Sequence, residues 1–234
     1  MGEKYPRWQT LIMRRVLILV EGQTEERFVK SILQPHLSTF SVHAEPKIVT
    51  TKRVKSGPDF KGGVGNFGKV EKDIQLLLGD TDAALVTTMI DYYGLPNDFP
   101  GKRVLRSTNS HDRAKELEAA LEHHFNVGPR FLPYLMIHEF EALLFSAPGV
   151  LAQVMNDHSA EAYLQRIRGS FTTPEDINDD PLTKPSARVL SRFPAYQKVL
   201  HGPNTISRIG LDTIRRECAH FNEWITRLER LGSA

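Results

Sequence analysis

One cysteine, Cys218, stands in a chain of 234 residues, which excludes an intramolecular disulfide framework and suits a reducing cytosol. A cytoplasmic location is therefore expected. No apolar run approaches the roughly 20 residues that span a bilayer, so no membrane partner is expected either. Residues 1–10 are polar and aromatic, and the apolar stretch after them is interrupted by Arg14 and Arg15, which argues against a secretory signal. A Walker loop is missing as well, because Gly68-Lys69-Val70 carries no Ser or Thr after the lysine. Excess charge of one sign is also lacking. The net value of +2 at neutral pH is too mild to establish a nucleic-acid partner by itself.

What remains is ordinary globular material, 40% hydrophobic and 25% charged, long enough for one large domain or two small ones. Residues 16–20 (VLILV) form a continuous apolar run, which predicts a central strand covered on both faces. Thr24 is the expected N-cap of a following helix, with Glu25 and Glu26 in its first turn and Phe28, Val29, Ile32 and Leu33 at helical spacing up to Pro35. A second strand is predicted over 42–51 and a short helix over 70–78. A third strand over 83–90 ends in Asp91. An amphipathic helix over 110–125 comes next, then a strand over 131–137 and a helix through HEFEALLFS (138–146).

Strands alternating with helices imply βαβ units and a mostly parallel sheet. Beyond Pro148 no strand is predicted, only short helices broken by Pro174, Pro181, Pro185, Pro194 and Pro203. The expected organisation is a tail over 1–12, an α/β domain over 13–146, and a helical region over 147–234 packed on it. Met13, directly ahead of Arg14-Arg15, would make an alternative start.

In open parallel sheets, ligands bind outside the carboxyl ends of the strands. Here the first strand ends in Glu21, the third in Asp91, and the fourth leads into Glu139 and Glu141. Crowded carboxylates repel one another, and a bound cation relieves them. Oxygen donors without a cysteine or histidine cluster favour Mg²⁺ or Mn²⁺ over zinc. Taken singly, Glu21 reads more readily as a turn or cap residue and Asp91 as a turn former. It is the coincidence at three strand ends that points to a metal.

VLILVEGQTEE followed by a strand ending in Asp resembles the Toprim domain, the α/β fold of topoisomerases, primases and the overcoming-lysogenization-defect nucleases. That resemblance implies Mg²⁺ between a Glu after the first strand and a DxD motif after a later one. Glu21 matches the first acid, Glu25 the second acid of the EGxTE form, and Asp91 the first Asp of DxD. Tyr93 stands where the second Asp belongs, which leaves the metal one carboxylate short unless Glu139 or Glu141 substitutes.

A wider resemblance runs through VEGQTEE, MIDYYGLPNDFPG, IHEFEALLFS, KPSARVL and IGLDTIRRECAHFNEWI. It is to the bacterial Domain of Unknown Function 4276 proteins, often encoded beside an AAA/ABC-type ATPase in settings suggestive of phage defence. It implies a Toprim-like metal-dependent nuclease acting on DNA or RNA with a partner ATPase, with Glu21 and Asp91 as catalytic acids. The alternative is a degenerate module that binds or assembles without catalysis.

Other residues carry weaker signals. Segment 47–72 holds seven Lys/Arg against two acids around a glycine-rich stretch. Lys52, Arg53, Lys55 and Lys61 are candidates for a phosphate backbone if that loop covers the acids; a merely solvated loop accounts for them equally well. Arg188 in KPSARVL is a candidate for a phosphate or for one of the acids, or else forms a structural salt bridge. His138 is expected to neighbour the acids by hydrogen bonding. Phe221, Trp224, Ile225 and Leu228 form a helical apolar stripe, either core or partner interface.

Overall fold

The computed structural model describes residues 13–49, 66–177 and 180–233. Strand β1 (Arg14–Val20) is buried from Val16 onward because it has a parallel neighbour on each side, β2 (Val42–Ile48) and β3 (Leu85–Asp91). Its two faces feed different cores. Val16, Ile18 and Val20 pack with Phe28, Val29 and Leu33, whereas Leu17 and Leu19 pack with Val70 and Ile74. The helices after β1 and the helix after β2 therefore cover opposite faces of the sheet. That accounts for an apolar run with no polar alternation. Pro46 is tolerated in β2 because, among the described residues, this strand pairs on one side only.

Strand order is β2-β1-β3-β4, with β5 also on β3, and every pairing is parallel. The chain moves outward from β1 to β2, then returns to the other side of β1 to form β3. Crossovers that diverge in this way leave a crevice at the carboxyl ends of β1 and β3.

The fourth strand expected over 131–137 is split into β4 (Phe131–Leu132) and β5 (Leu135–Met136). Pro133 has no N–H for a ladder, and buried threonines of β3 bridge the break. Thr87 donates to the Leu132 carbonyl at 2.5 Å, and Thr88 both donates to the Tyr134 carbonyl at 2.8 Å and accepts from its N–H at 2.9 Å.

The first helix differs from expectation at both ends. Helix α1 (Gln23–Phe28) starts directly after Gly22, which is its N-cap, so Thr24 lies buried inside the first turn. Pro35 does not end the helix. A π segment (Val29–Leu33) precedes it and the chain continues as α2 (Gln34–Ser38), the wider turn accommodating a residue that cannot donate backward. Helices α3 (Phe67–Leu78) and α4 (Ser110–Phe125) begin at Asn66 and Asn109, whose side chains accept from backbone N–H groups of the first turn.

From Pro148 the chain is helical: α5 (Pro148–Val154), α6 (Glu161–Gly169), α7 (Pro185–Arg192), α8 (Lys198–Ile209), α9 (Leu211–Glu217) and α10 (Ala219–Arg230). These pack directly on the sheet, because Leu164, Val189, Ile206 and Phe221 share one core with β1. The stripe on α10 is core: Trp224 stacks on Tyr134 at 4.3 Å and 7°, and its indole N–H donates to Thr87 at 3.0 Å. Among the described residues no helix is long and apolar enough to cross a membrane.

Helix α8 is held close against the first helix. A side chain at Gly202 would stand 3.2 Å from both Phe140 and the Tyr196 hydroxyl and 3.5 Å from Thr24 of α1, so any larger residue would have to push these side chains back. Pro203 leaves the Val199 carbonyl without its helical donor, and Arg27 of α1 supplies one at 3.1 Å. Helix α8 is thereby seated against α1, with Lys198 at its first residue.

Candidate active site

Glu21 ends β1 and Asp91 ends β3, on adjacent strands. The Asp91 N–H donates to Glu21 Oε2 at 3.2 Å, so the two strand tips are tied by a side chain where the ladder stops. Glu25, one turn into α1, folds back so that its Oε2 accepts from the Gly22 N–H at 2.8 Å. This puts both acids of the EGxTE stretch at the same mouth. Both are buried.

The third contribution comes from the segment after β5. His138 adopts a left-handed backbone (φ 63°), which costs a non-glycine residue roughly 1–2 kcal/mol. Its ring packs edge-on to Tyr92 at 6.3 Å, and its carbonyl accepts from the Tyr93 N–H at 3.0 Å. The kink turns the chain into the crevice. Glu139 is extended, and a 3₁₀ turn (Phe140–Ser146) stands in place of the expected α-helix. The Phe140 N–H donates to Asp91 Oδ1 at 3.2 Å, and Glu141 becomes almost wholly buried.

Asp91 records the crowding. Burial is the largest influence raising its carboxyl, the charges of Glu21, Glu25 and Glu141 add to it, and Lys198 opposes them. The net result is a carboxyl well above the usual carboxylate range, although Asp91 as a residue keeps some solvent contact at the mouth. Four acids therefore meet at the point where the strand order reverses.

Two lysines answer them. Lys198 donates to Glu141 Oε2 at 3.1 Å. Desolvation pulls this lysine down, but Glu141, Glu139 and Asp91 outweigh it and hold the ammonium above its ordinary range. Lys184 donates to Glu139 Oε1 at 2.7 Å and lies 4.1 Å over the Tyr93 ring, while the Ser186 N–H donates to Glu139 Oε2 at 2.9 Å. Burial works to raise Glu139, yet Lys198, Lys184 and Ser186 bring it below its usual value. Glu141 goes the other way: burial lifts it and Glu139 adds, against Lys198. Glu141 Oε1 and the Tyr196 hydroxyl beside it are both buried without a hydrogen bond of normal geometry.

The structure brings together Glu21, Glu25, Asp91 and Glu141, with Glu139 at the edge in the grip of Lys184 and Ser186. Arg188 is not part of this group. Its guanidinium donates to the Thr183 carbonyl and lies 5.4 Å over Phe171. The KPSARVL motif delivers Lys184 and the Ser186 amide instead. Lys198 carried no sequence signal, since only the seating of α8 aims it at the acids. Lys52, Arg53, Lys55 and Lys61 lie outside the described residues.

The donor set fits a hard divalent cation, being carboxylates that repel one another, one of them with a buried oxygen left over. Among the described residues, however, no three Asp, Glu, His or Cys side chains are grouped closely enough to hold a metal ion as they stand. Backbone N–H groups and two lysines hold the acids where they are.

The fold and crevice define a parallel α/β protein with an acidic site at its switch point and a helical C-terminal part. The chain belongs to the family described as Domain of unknown function (DUF4276), whose family model matches residues 20–229. No curated protein matches it, and no solved structure does.

Proposed function

We propose that the crevice binds Mg²⁺ or Mn²⁺ through Glu21, Asp91 and Glu141, with Glu25 beside them, and that the protein hydrolyses phosphodiester bonds of DNA or RNA. The observation that carries this reading is Asp91, ringed by Glu21, Glu25 and Glu141 at the carboxyl ends of adjacent strands and charged only at a cost. A bound divalent cation would neutralise these acids and supply an activated water. The chain's own residues do the rest. Glu21 serves as ligand or general acid/base at the tip of β1. Lys184 and Lys198 offer ammonium donors at the same mouth for a phosphate backbone. A partner ATPase and a role in phage defence follow from the family resemblance, and a cytoplasmic location suits the lone, buried Cys218.

Purified protein incubated with plasmid DNA and structured RNA, with Mn²⁺ or Mg²⁺ and with EDTA, tests the reading. Metal-dependent cleavage lost in Asp91→Asn supports it. Cleavage unchanged in Asp91→Asn contradicts it.

A second reading has its own observation. Tyr93 stands in place of an acid, and lysines already pair with Glu139 and Glu141, which favours a module that binds or assembles without catalysis. That module would bind no divalent cation at this crevice.

A further inference from the structure

Glu141 is the most deeply buried carboxylate of the crevice, and its cationic partner is a lysine. The Glu141 side chain is 1% exposed, one oxygen is held by Lys198 at 3.1 Å, and the other is buried beside the Tyr196 hydroxyl without a hydrogen bond of normal geometry. Lys198 sits at the first residue of α8, where rotation of its own four-carbon stem can carry the ammonium away while the Arg27 bond to the Val199 carbonyl keeps the first turn seated. Its side chain is 45% exposed, so a path to solvent exists for it. The same ammonium faces Asp91 and Glu139 as well as Glu141. It thus neutralises part of the charge that a divalent cation would need.

We propose that Lys198 is a built-in competitor for the metal at Glu141: either its ammonium or a divalent cation neutralises that carboxylate, and metal entry displaces the lysine. This rests on the reading of the crevice as a metal site and adds its regulation. Two charges of the same sign cannot both sit against Glu141, Asp91 and Glu139 at close range without repulsion. The exchange also explains why the acids converge yet form no ready cage. Whatever draws the Lys198 side chain outward would then raise metal affinity without touching a carboxylate. The displaced ammonium would be left at the mouth, where a phosphate would meet it.

The test is Mn²⁺ titration by calorimetry on the full chain as wild type, Lys198→Met, Lys198→Arg and Glu21→Gln. Methionine keeps the stem that packs in the wall and removes the charge; arginine keeps the charge and checks that the position tolerates replacement. Lys198→Met is expected to bind Mn²⁺ about tenfold tighter or more, the scale on which a neighbouring unit charge shifts an ionic equilibrium. Lys198→Arg should remain close to wild type. Equal or weaker binding by Lys198→Met, with binding still lost in Glu21→Gln, overturns the competition and leaves the metal site standing. No Mn²⁺ binding by any of the four, Lys198→Met included, overturns both.

Discussion

The backbone N–H of Asp91 donates to the Glu21 carboxylate at 3.2 Å, joining the last residue of β3 to the first residue past β1. Glu21 is therefore a structural tie as well as a candidate ligand. Glutamine keeps an oxygen for that bond while removing the charge. Glu21→Gln should retain near-wild-type stability in urea, whereas Glu21→Ala leaves a part-buried N–H unpaired and should cost about 1–2 kcal/mol.

Divalent metal should stabilise the folded chain through Asp91. A saturating ligand that binds only the native state adds about 2.7 kcal/mol at a hundredfold excess over its Kd. Thermal melts with and without millimolar Mn²⁺ should show an upward shift in wild type that vanishes in Asp91→Asn. A shift that survives the substitution would place the metal elsewhere.

The Lys184–Glu139 pair should behave as a buried couple. Lys184→Met strands a carboxylate that is only 4% exposed, leaving it the Ser186 amide and the more distant Lys198. A loss of about 1–3 kcal/mol is expected by denaturant titration. Adding Glu139→Gln should restore a good part of that loss, since the stranded charge disappears with it.

Acid sensitivity should trace in part to β2. Arg15 holds Glu45 below its ordinary value of 4.5, at about 2, against the opposing effect of burial and with help from Lys47. The folded value lies below the unfolded one, so this carboxylate's contribution is complete above about pH 4.5 and fades as pH falls towards 2. Glu45→Gln should flatten the fall in stability across that window, measured as urea midpoints from pH 5 to 2.5.

Trp224 joins α10 to the sheet through its stack on Tyr134 and its bond to Thr87. Trp224→Phe should cost about 1–3 kcal/mol, because Thr87 loses a donor and part of the stack goes. Trp224→Ala should cost about 3–5 kcal/mol.

Local chemistry in the sequence carried much of this. The unbroken run at 16–20 fitted a strand covered on both faces, and acids at the ends of three strands pointed to the crevice. What stayed hidden depends on contacts between distant segments. Thr88 lets a split strand pair across Pro133, a π turn carries the helix past Pro35, and a left-handed His138 delays the helix expected through 138–146, which forms as 3₁₀ over Phe140–Ser146. Within KPSARVL, Arg188 was the residue singled out, for a phosphate, an acid or a structural salt bridge, yet it is Lys184 that reaches the acids because the helix starts after it. Lys198 belongs to no motif. Its role comes from α8 resting on α1 through Gly202 and Arg27, contacts that no local pattern encodes.

The most direct measurement is Mn²⁺ and Mg²⁺ binding by calorimetry on wild type and Glu21→Gln. Binding by the wild type that disappears in the variant is the expected result, and it would make the acids at the ends of β1 and β3 a metal centre. Wild-type protein that binds neither ion would contradict that, leaving Glu21 as the tie between two strand ends and the crevice as a site held shut by its own lysines.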